Sequence, residues 1–73
     1  MTVLENIKDI LQEKQDIDPA TVSEETTFED LKIDSIDMIE LVCELEDRTG
    51  KDLMDIPREL KNVGEVVAYV EGL

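Results

Sequence analysis

The chain has 73 residues, 41% of them hydrophobic, with 20 acidic against 7 basic side chains, no histidine and a net charge of −13. That length builds one small domain with a thin core, residues 1–73 forming a single unit. So acidic a field excludes nucleic acid and anionic membrane surfaces as partners and favours basic protein surfaces.

The apolar residues recur at regular spacing, which argues for a folded domain rather than an acidic disordered chain. The single cysteine, Cys43, cannot close an internal disulfide. The first residues carry charges where a signal peptide would need an apolar run, and no run approaches the length of a membrane span. These features lead us to expect a cytoplasmic monomer with no membrane insertion.

In chain order, Val3, Leu4, Ile7, Ile10 and Leu11 share one helix face, which predicts a first helix from about Thr2 to Gln15. Asp18-Pro19 marks a stop, with Asp18 placed to cap a short turn that Pro19 opens. Residues 16 to 33 show no sustained period. They form a long connection with apolar anchors at Ile17, Val22, Phe28, Leu31 and Ile33, and Phe28 is the best pin. A second helix is predicted from Ser35 to about Arg48, stopped by Gly50. Asp34 is its N-cap, and Asp37 stands where an acid can complete a capping box. Asp55 as a cap with Pro57 in the first turn predicts a brief helix through Lys61, tied to the core by Ile56 and Leu60. The last helix starts at Asn62, with Glu65 three residues on and Val63, Val66, Val67 and Val70 on its buried face. The expected fold is all-α: three main helices, one short one and a long first loop.

The second helix carries the functional signal. Ser35 stands in its first turn, exposed, at the positive end of the helix dipole, a geometry suited to attachment of a phosphate-bearing group. On a helical wheel Asp37, Glu40, Glu44 and Asp47 fall in a sector roughly 80° wide. Met38, Leu41, Val42 and Leu45 lie opposite, as a core face. Ile36, Ile39 and Cys43 lie between the two. Either this helix is buried on most sides, or those three residues form a partly exposed apolar ridge beside an acidic strip, suited to a basic partner surface. The acids also admit two readings, a solvated face or a binding strip. Four like charges at helical spacing repel, with only Arg48 nearby to offset them, and a binding role explains tolerating that.

Chemistry by the chain alone is not expected. Without histidine neither Ser35 nor Cys43 has an imidazole base. No zinc-type ligand set exists, and Asp16, Asp18, Asp30 and Asp34 do not fit the spacing of a calcium-binding helix–loop–helix, so no metal site is assigned.

Asp34-Ser35-Ile36-Asp37, followed by Glu40-Leu41-Val42 and Leu45-Glu46, resembles the Asp-Ser-Leu signature and second helix of bacterial acyl carrier proteins. The resemblance extends to Phe28-Glu29-Asp30-Leu31, the Gly50 stop and Asn62-Val63-Gly64-Glu65-Val66-Val67. It implies that a phosphopantetheinyl transferase links 4'-phosphopantetheine, taken from coenzyme A, to Ser35, with Asp34 beside it. The arm's thiol would then hold acyl intermediates as thioesters for fatty-acid or related polyketide-like synthesis. The chain would be a carrier and not an enzyme. Its other partners would be acyl-transferring and condensing enzymes with basic docking patches. The resemblance implies that Asp37, Glu40, Glu46 and Asp47, with the apolar Ile36, Ile39 and Cys43, meet those partners, and the wheel adds Glu44. The chain departs from the family pattern at Lys32, where glycine is common, at Thr49, where an aromatic is common, and at Met54, where proline is common. Two other readings stand beside this one: an aminoacyl or peptidyl carrier, such as a D-alanyl carrier, and an acidic interaction module without a prosthetic group.

Overall fold

The computed structural model describes residues 2–57 and 59–73. Helix α1 spans Val3–Gln15. Thr2 opens it with a full capping box: the Glu5 N–H donates to Thr2 Oγ1 at 3.1 Å, and the Thr2 N–H donates to Glu5 Oε1 at 3.3 Å. The Thr2 backbone bond first, then its hydroxyl, holds the Glu5 carboxyl below its ordinary range. The helix ends at Asp16, a left-handed residue whose N–H reaches back to Leu11 O. Ile7, Ile10 and Leu11 are buried, as the periodicity predicts, while Val3 and Leu4 pack at the rim.

The long connection is held down along its length. Asp18 Oδ1 accepts the Ala20 N–H at 2.9 Å and caps a 3-10 turn over Pro19–Thr21. Val22 and Phe28 are both buried, which bears out Phe28 as a pin. The backbone adds a second fastening absent from the sequence reading. The Gly64 N–H donates to Glu24 O at 2.7 Å, the Val63 N–H to Thr26 O at 2.9 Å and the Phe28 N–H to Lys61 O at 3.0 Å. The loop is therefore stitched to the start of α3 around an isolated antiparallel bridge between Thr27 and Asn62. Gly64 permits this approach, since a Cβ there would stand 2.9 Å from Glu24 O.

Helix α2 spans Ser35–Thr49, with Leu41 and Leu45 buried. Gly50 stops it at φ 70° and returns its N–H to Glu46 O at 2.8 Å. Thr49, standing where an aromatic was expected, instead donates its hydroxyl to Leu45 O at 2.7 Å and accepts the Lys51 N–H at 3.3 Å. Helix α3, Val63–Glu71, buries Val63, Val66, Val67 and Val70. Asn62 Oδ1 caps it through the Glu65 N–H at 2.8 Å, and Glu65 Oε1 reaches one residue behind the cap to the Lys61 N–H at 3.2 Å. The three helices enclose one core with Leu53, Val22 and Phe28. This is the small all-α bundle with a long first loop, and no strand occurs among the described residues.

The segment after α2 corrects one expectation. No helix forms from Asp55 to Lys61 among the described residues; Arg58 lies outside them. Met54 and Asp55 lie in a turn closed by the Ile56 N–H to Leu53 O at 3.2 Å, and Asp52, not Asp55, supplies the side-chain bond, from the Met54 N–H at 3.0 Å. The reason is tertiary. Leu53 is drawn fully into the core and its N–H is bonded across to α2, so the chain spends its polar groups sideways rather than along a helix axis. Ile56 and Leu60 still pack against the core, as expected. The sole short helical turn among the described residues is the one at Pro19.

Candidate functional site

The site is built from the turn that delivers α2. Residues 28–32 wind into a single turn that closes with the Lys32 N–H to Glu29 O and the Ile33 N–H to Phe28 O, both 3.0 Å. This closure places Lys32 at φ 58°, in the left-handed region where glycine is unstrained. The structure thus gives a backbone reason for the glycine common at this position. Two residues later Asp34 is extended, and its Oδ1 accepts the Asp37 N–H at 2.9 Å. The return bond of a capping box is not made: the Asp37 carboxylate does not receive the Asp34 N–H. Asp34 therefore caps the helix by itself.

Ser35 is the first residue of α2 and is exposed. Among the described residues its Oγ has no hydrogen-bond partner, so the hydroxyl stands free at the positive end of a 15-residue helix. An anionic group bonded to that oxygen would meet the unsatisfied amides of the first turn. The chain has no histidine, so Ser35 has no imidazole base to activate its oxygen.

Beside Ser35 a cleft of ~610 Å³ runs between α2 and the 53–57 segment. Met38, Val42, Leu53 and Ile56 make its walls, Phe28 and Ile33 lie at the Ser35 end, and Asp34, Ser35 and Glu46 are its polar members. Met38 and Val42, placed on the core face by the wheel, are half-buried and line this cleft. Its apolar lining suits an alkyl chain and penalises a charged one. The sequence reading did not identify the 53–57 wall, although its run of Leu53, Met54, Ile56 and Pro57 carries the apolar signal.

The residues expected to face partners fall into two groups. Ile36 is 69% exposed and Ile39 50%, and Cys43 is exposed with them. The partly exposed apolar ridge, rather than burial on most sides, describes this helix. Met54, 79% exposed on the opposite lip, enlarges the apolar rim. Glu40 and Asp47 are exposed beside the ridge, and Asp37 is half-buried.

Glu44 and Glu46 instead have internal bonds. Arg48 donates to Glu44 at 3.4 Å and, across to α1, to Asp9 at 2.5 Å and Glu13 at 2.9 Å. One cation thus offsets acids on two helices. The Asp9 bond is the main cause that raises the guanidinium pKa above its ordinary value, against the opposing effect of partial burial. Glu46 is half-buried, and its Oε2 accepts the Leu53 N–H at 2.8 Å.

Comparison with known proteins agrees with this geometry. Residues 5–70 match the family model described as the phosphopantetheine attachment site. An acyl carrier protein of Streptococcus pneumoniae (serotype 4) is 38% identical over 71 residues, covering 97% of this chain and 95% of the relative. One of Wolinella succinogenes is 38% identical over 73 residues, covering 97% and 96%. Acyl carrier protein 2 of Ralstonia nicotianae is 41% identical over 75 residues, covering 97% and 90%.

Proposed function

The chain belongs to the phosphopantetheine attachment-site family, and from that membership we propose that it is an acyl carrier protein with Ser35 as its attachment residue. It is a carrier rather than a catalyst. The observation that carries the assignment of Ser35 is its free Oγ at the head of a capped helix, opening beside an apolar cleft. The amides of the first turn of α2 hold the phosphate of 4'-phosphopantetheine, and Asp34 keeps that turn wound by capping it. When attached, the group's terminal thiol holds an acyl chain as a thioester. The cleft walls favour an apolar acyl cargo over an aminoacyl one, whose ammonium would be costly to bury there.

The partners are a phosphopantetheinyl transferase and acyl-transferring or condensing enzymes. Ile36, Ile39 and Cys43 form the apolar part of the docking face. Asp37, Glu40, Glu44 and Asp47 supply charge that attracts basic patches, with Glu40 and Asp47 the most accessible. A cytoplasmic address accords with an exposed single thiol at Cys43. Among the described residues no helix is long and apolar enough to cross a membrane.

Incubation with coenzyme A and a broad-specificity transferase tests the reading by intact mass. The parent chain should gain one phosphopantetheine and Ser35→Ala none. A gain by Ser35→Ala would refute the assignment, and no gain by the parent would favour an interaction module without a prosthetic group.

A further inference from the structure

The 51–57 segment forms one wall of the cleft without a helix of its own, so its position depends on individual bonds. The Lys51 N–H is held by Thr49 Oγ1 at 3.3 Å, next to the end of α2. The Met54 N–H is held by Asp52 and the Ile56 N–H by Leu53 O, both inside the segment itself. Lys51 Nζ donates to Val70 O at 3.0 Å and ties the start of the segment to the end of α3. The bond from the Leu53 N–H to Glu46 Oε2, at 2.8 Å, is the backbone tie that crosses from the middle of this wall to the opposite one.

Glu46 and Leu53 both line the cleft, and the Leu53 side chain is fully buried next to that bond. Leu53 therefore anchors by its side chain and is oriented by its N–H, while Met54, 79% exposed, hangs beyond it over the rim. The oxygen accepts the N–H at a good distance, and its half-buried setting limits competition from water.

We infer that Glu46 is a positioning residue for the cargo: its carboxylate sets the distance of the 53–57 wall from α2 and so decides whether an acyl chain is held in the cleft. This inference rests on the reading of Ser35 as the attachment point. It separates Glu46 from the acids that attract partners. Glu40 and Asp47 act through their charge, whereas Glu46 acts through the reach and acceptor geometry of one oxygen.

Two conservative variants distinguish these roles. Glu46→Gln keeps a carbonyl acceptor at the same reach and loses the charge. Glu46→Asp keeps the charge and falls one methylene short. Parent and variants are loaded with an excess of transferase, once from coenzyme A and once from octanoyl-coenzyme A, and checked by intact mass. Two readouts follow: hydrogen exchange at the Leu53 amide, and the shift in Tm between octanoyl and unacylated forms of each protein. Glu46→Asp should exchange Leu53 faster by about tenfold, with amides of Leu41 and Leu45 little changed, and should lose most of the octanoyl-dependent Tm shift. Glu46→Gln should stay close to the parent in both.

A merely structural role for Glu46 would lower Tm equally in the octanoyl and unacylated forms, and that result overturns the inference. So does Glu46→Gln behaving worse than Glu46→Asp, which would make the charge decisive. A parent chain that gains no phosphopantetheine mass overturns the reading of Ser35 together with this inference. A loaded parent with Leu53 exchange unchanged in Glu46→Asp overturns the inference alone.

Discussion

The two sides of α2 are held in different ways. Toward α1, Leu41 and Leu45 are fully buried in the cluster that contains Ile7, Ile10 and Leu11. Arg48 crosses to Asp9 and Glu13 on the same side. Toward the 53–57 segment, Met38 and Val42 are half-buried, and the facing wall has no helix and is held by Leu53, the partly buried Ile56 and the Glu46 and Lys51 bonds. The bundle thus concentrates its packing on one side of its central helix and leaves the other side lightly tied. A domain this small has little apolar area to distribute, and the lightly tied side is the one expected to open locally at the lower cost. The asymmetry places that region beside Ser35.

Truncating one residue on each side of α2 tests the contrast most severely. Leu45→Ala should cost about 2–5 kcal/mol, a large part of the total stability expected for so short a chain. Val42→Ala, on the cleft side, should cost about 1 kcal/mol. Urea unfolding measures both, and equal losses would break the comparison, since the cleft would then be packed as tightly as the core.

Gly64→Ala strikes the tight side at another point, where the loop is stitched to α3. The added Cβ would meet Glu24 O at 2.9 Å, so the strand-like contact must open. A loss of about 1–3 kcal/mol is expected. A neutral result would show that the stitch is slack.

Arg48→Met keeps most of the stem and removes the cation shared by Asp9, Glu13 and Glu44. Tm should fall at low salt, and the gap from the parent should shrink as salt screens the acids left behind. The raised Arg48 pKa means that its stabilising contribution is complete below its ordinary value and is lost only at more alkaline pH, as pH rises through the folded value. The parent itself, at −13, should also gain stability from salt and from millimolar magnesium or calcium. Thermal melts indifferent to both would show that the acids are too dispersed to repel.

Glu5→Gln probes the entry to α1. The lowered Glu5 pKa means that its contribution is present above the ordinary carboxylate value and is lost as pH falls through the folded one. The variant should melt below the parent near neutral pH, and the two curves should converge in acid. A gap that persisted in acid would point to packing rather than charge.

The smallest effect is expected at Lys32→Gly, which relieves a left-handed residue but adds freedom to the unfolded chain. A net gain of roughly 0.5 kcal/mol should appear in urea unfolding. A loss would mean that the Lys32 side chain stabilises the approach to Ser35 in a way its backbone does not reveal.

The residue sequence determined most of what depends on neighbours two to four positions apart, although Asp37 and Glu65 do not complete the capping boxes their spacing offered. Asp18, Asp34 and Asn62 each accept an N–H two or three residues on, so their caps are legible from spacing, as is the stop at Gly50, whereas the cap at Thr2 emerged only in the structure. The valines of α3 and the isoleucines of α1 announce their buried faces in the same way, and so does the free serine at the head of α2. Tertiary structure decided the bonds whose partners lie far apart in the chain or that compete with a local alternative. Arg48 meets Asp9 across the bundle, and Glu24 and Thr26 meet the start of α3. Glu46, which the resemblance assigned to the partner face, accepts a backbone N–H seven residues on, and Asp55 is left without the helix that it was placed to start. In that last case the burial of Leu53 outweighed a capping signal, because a cap contributes only about 1 kcal/mol while burying a leucine contributes about twice that.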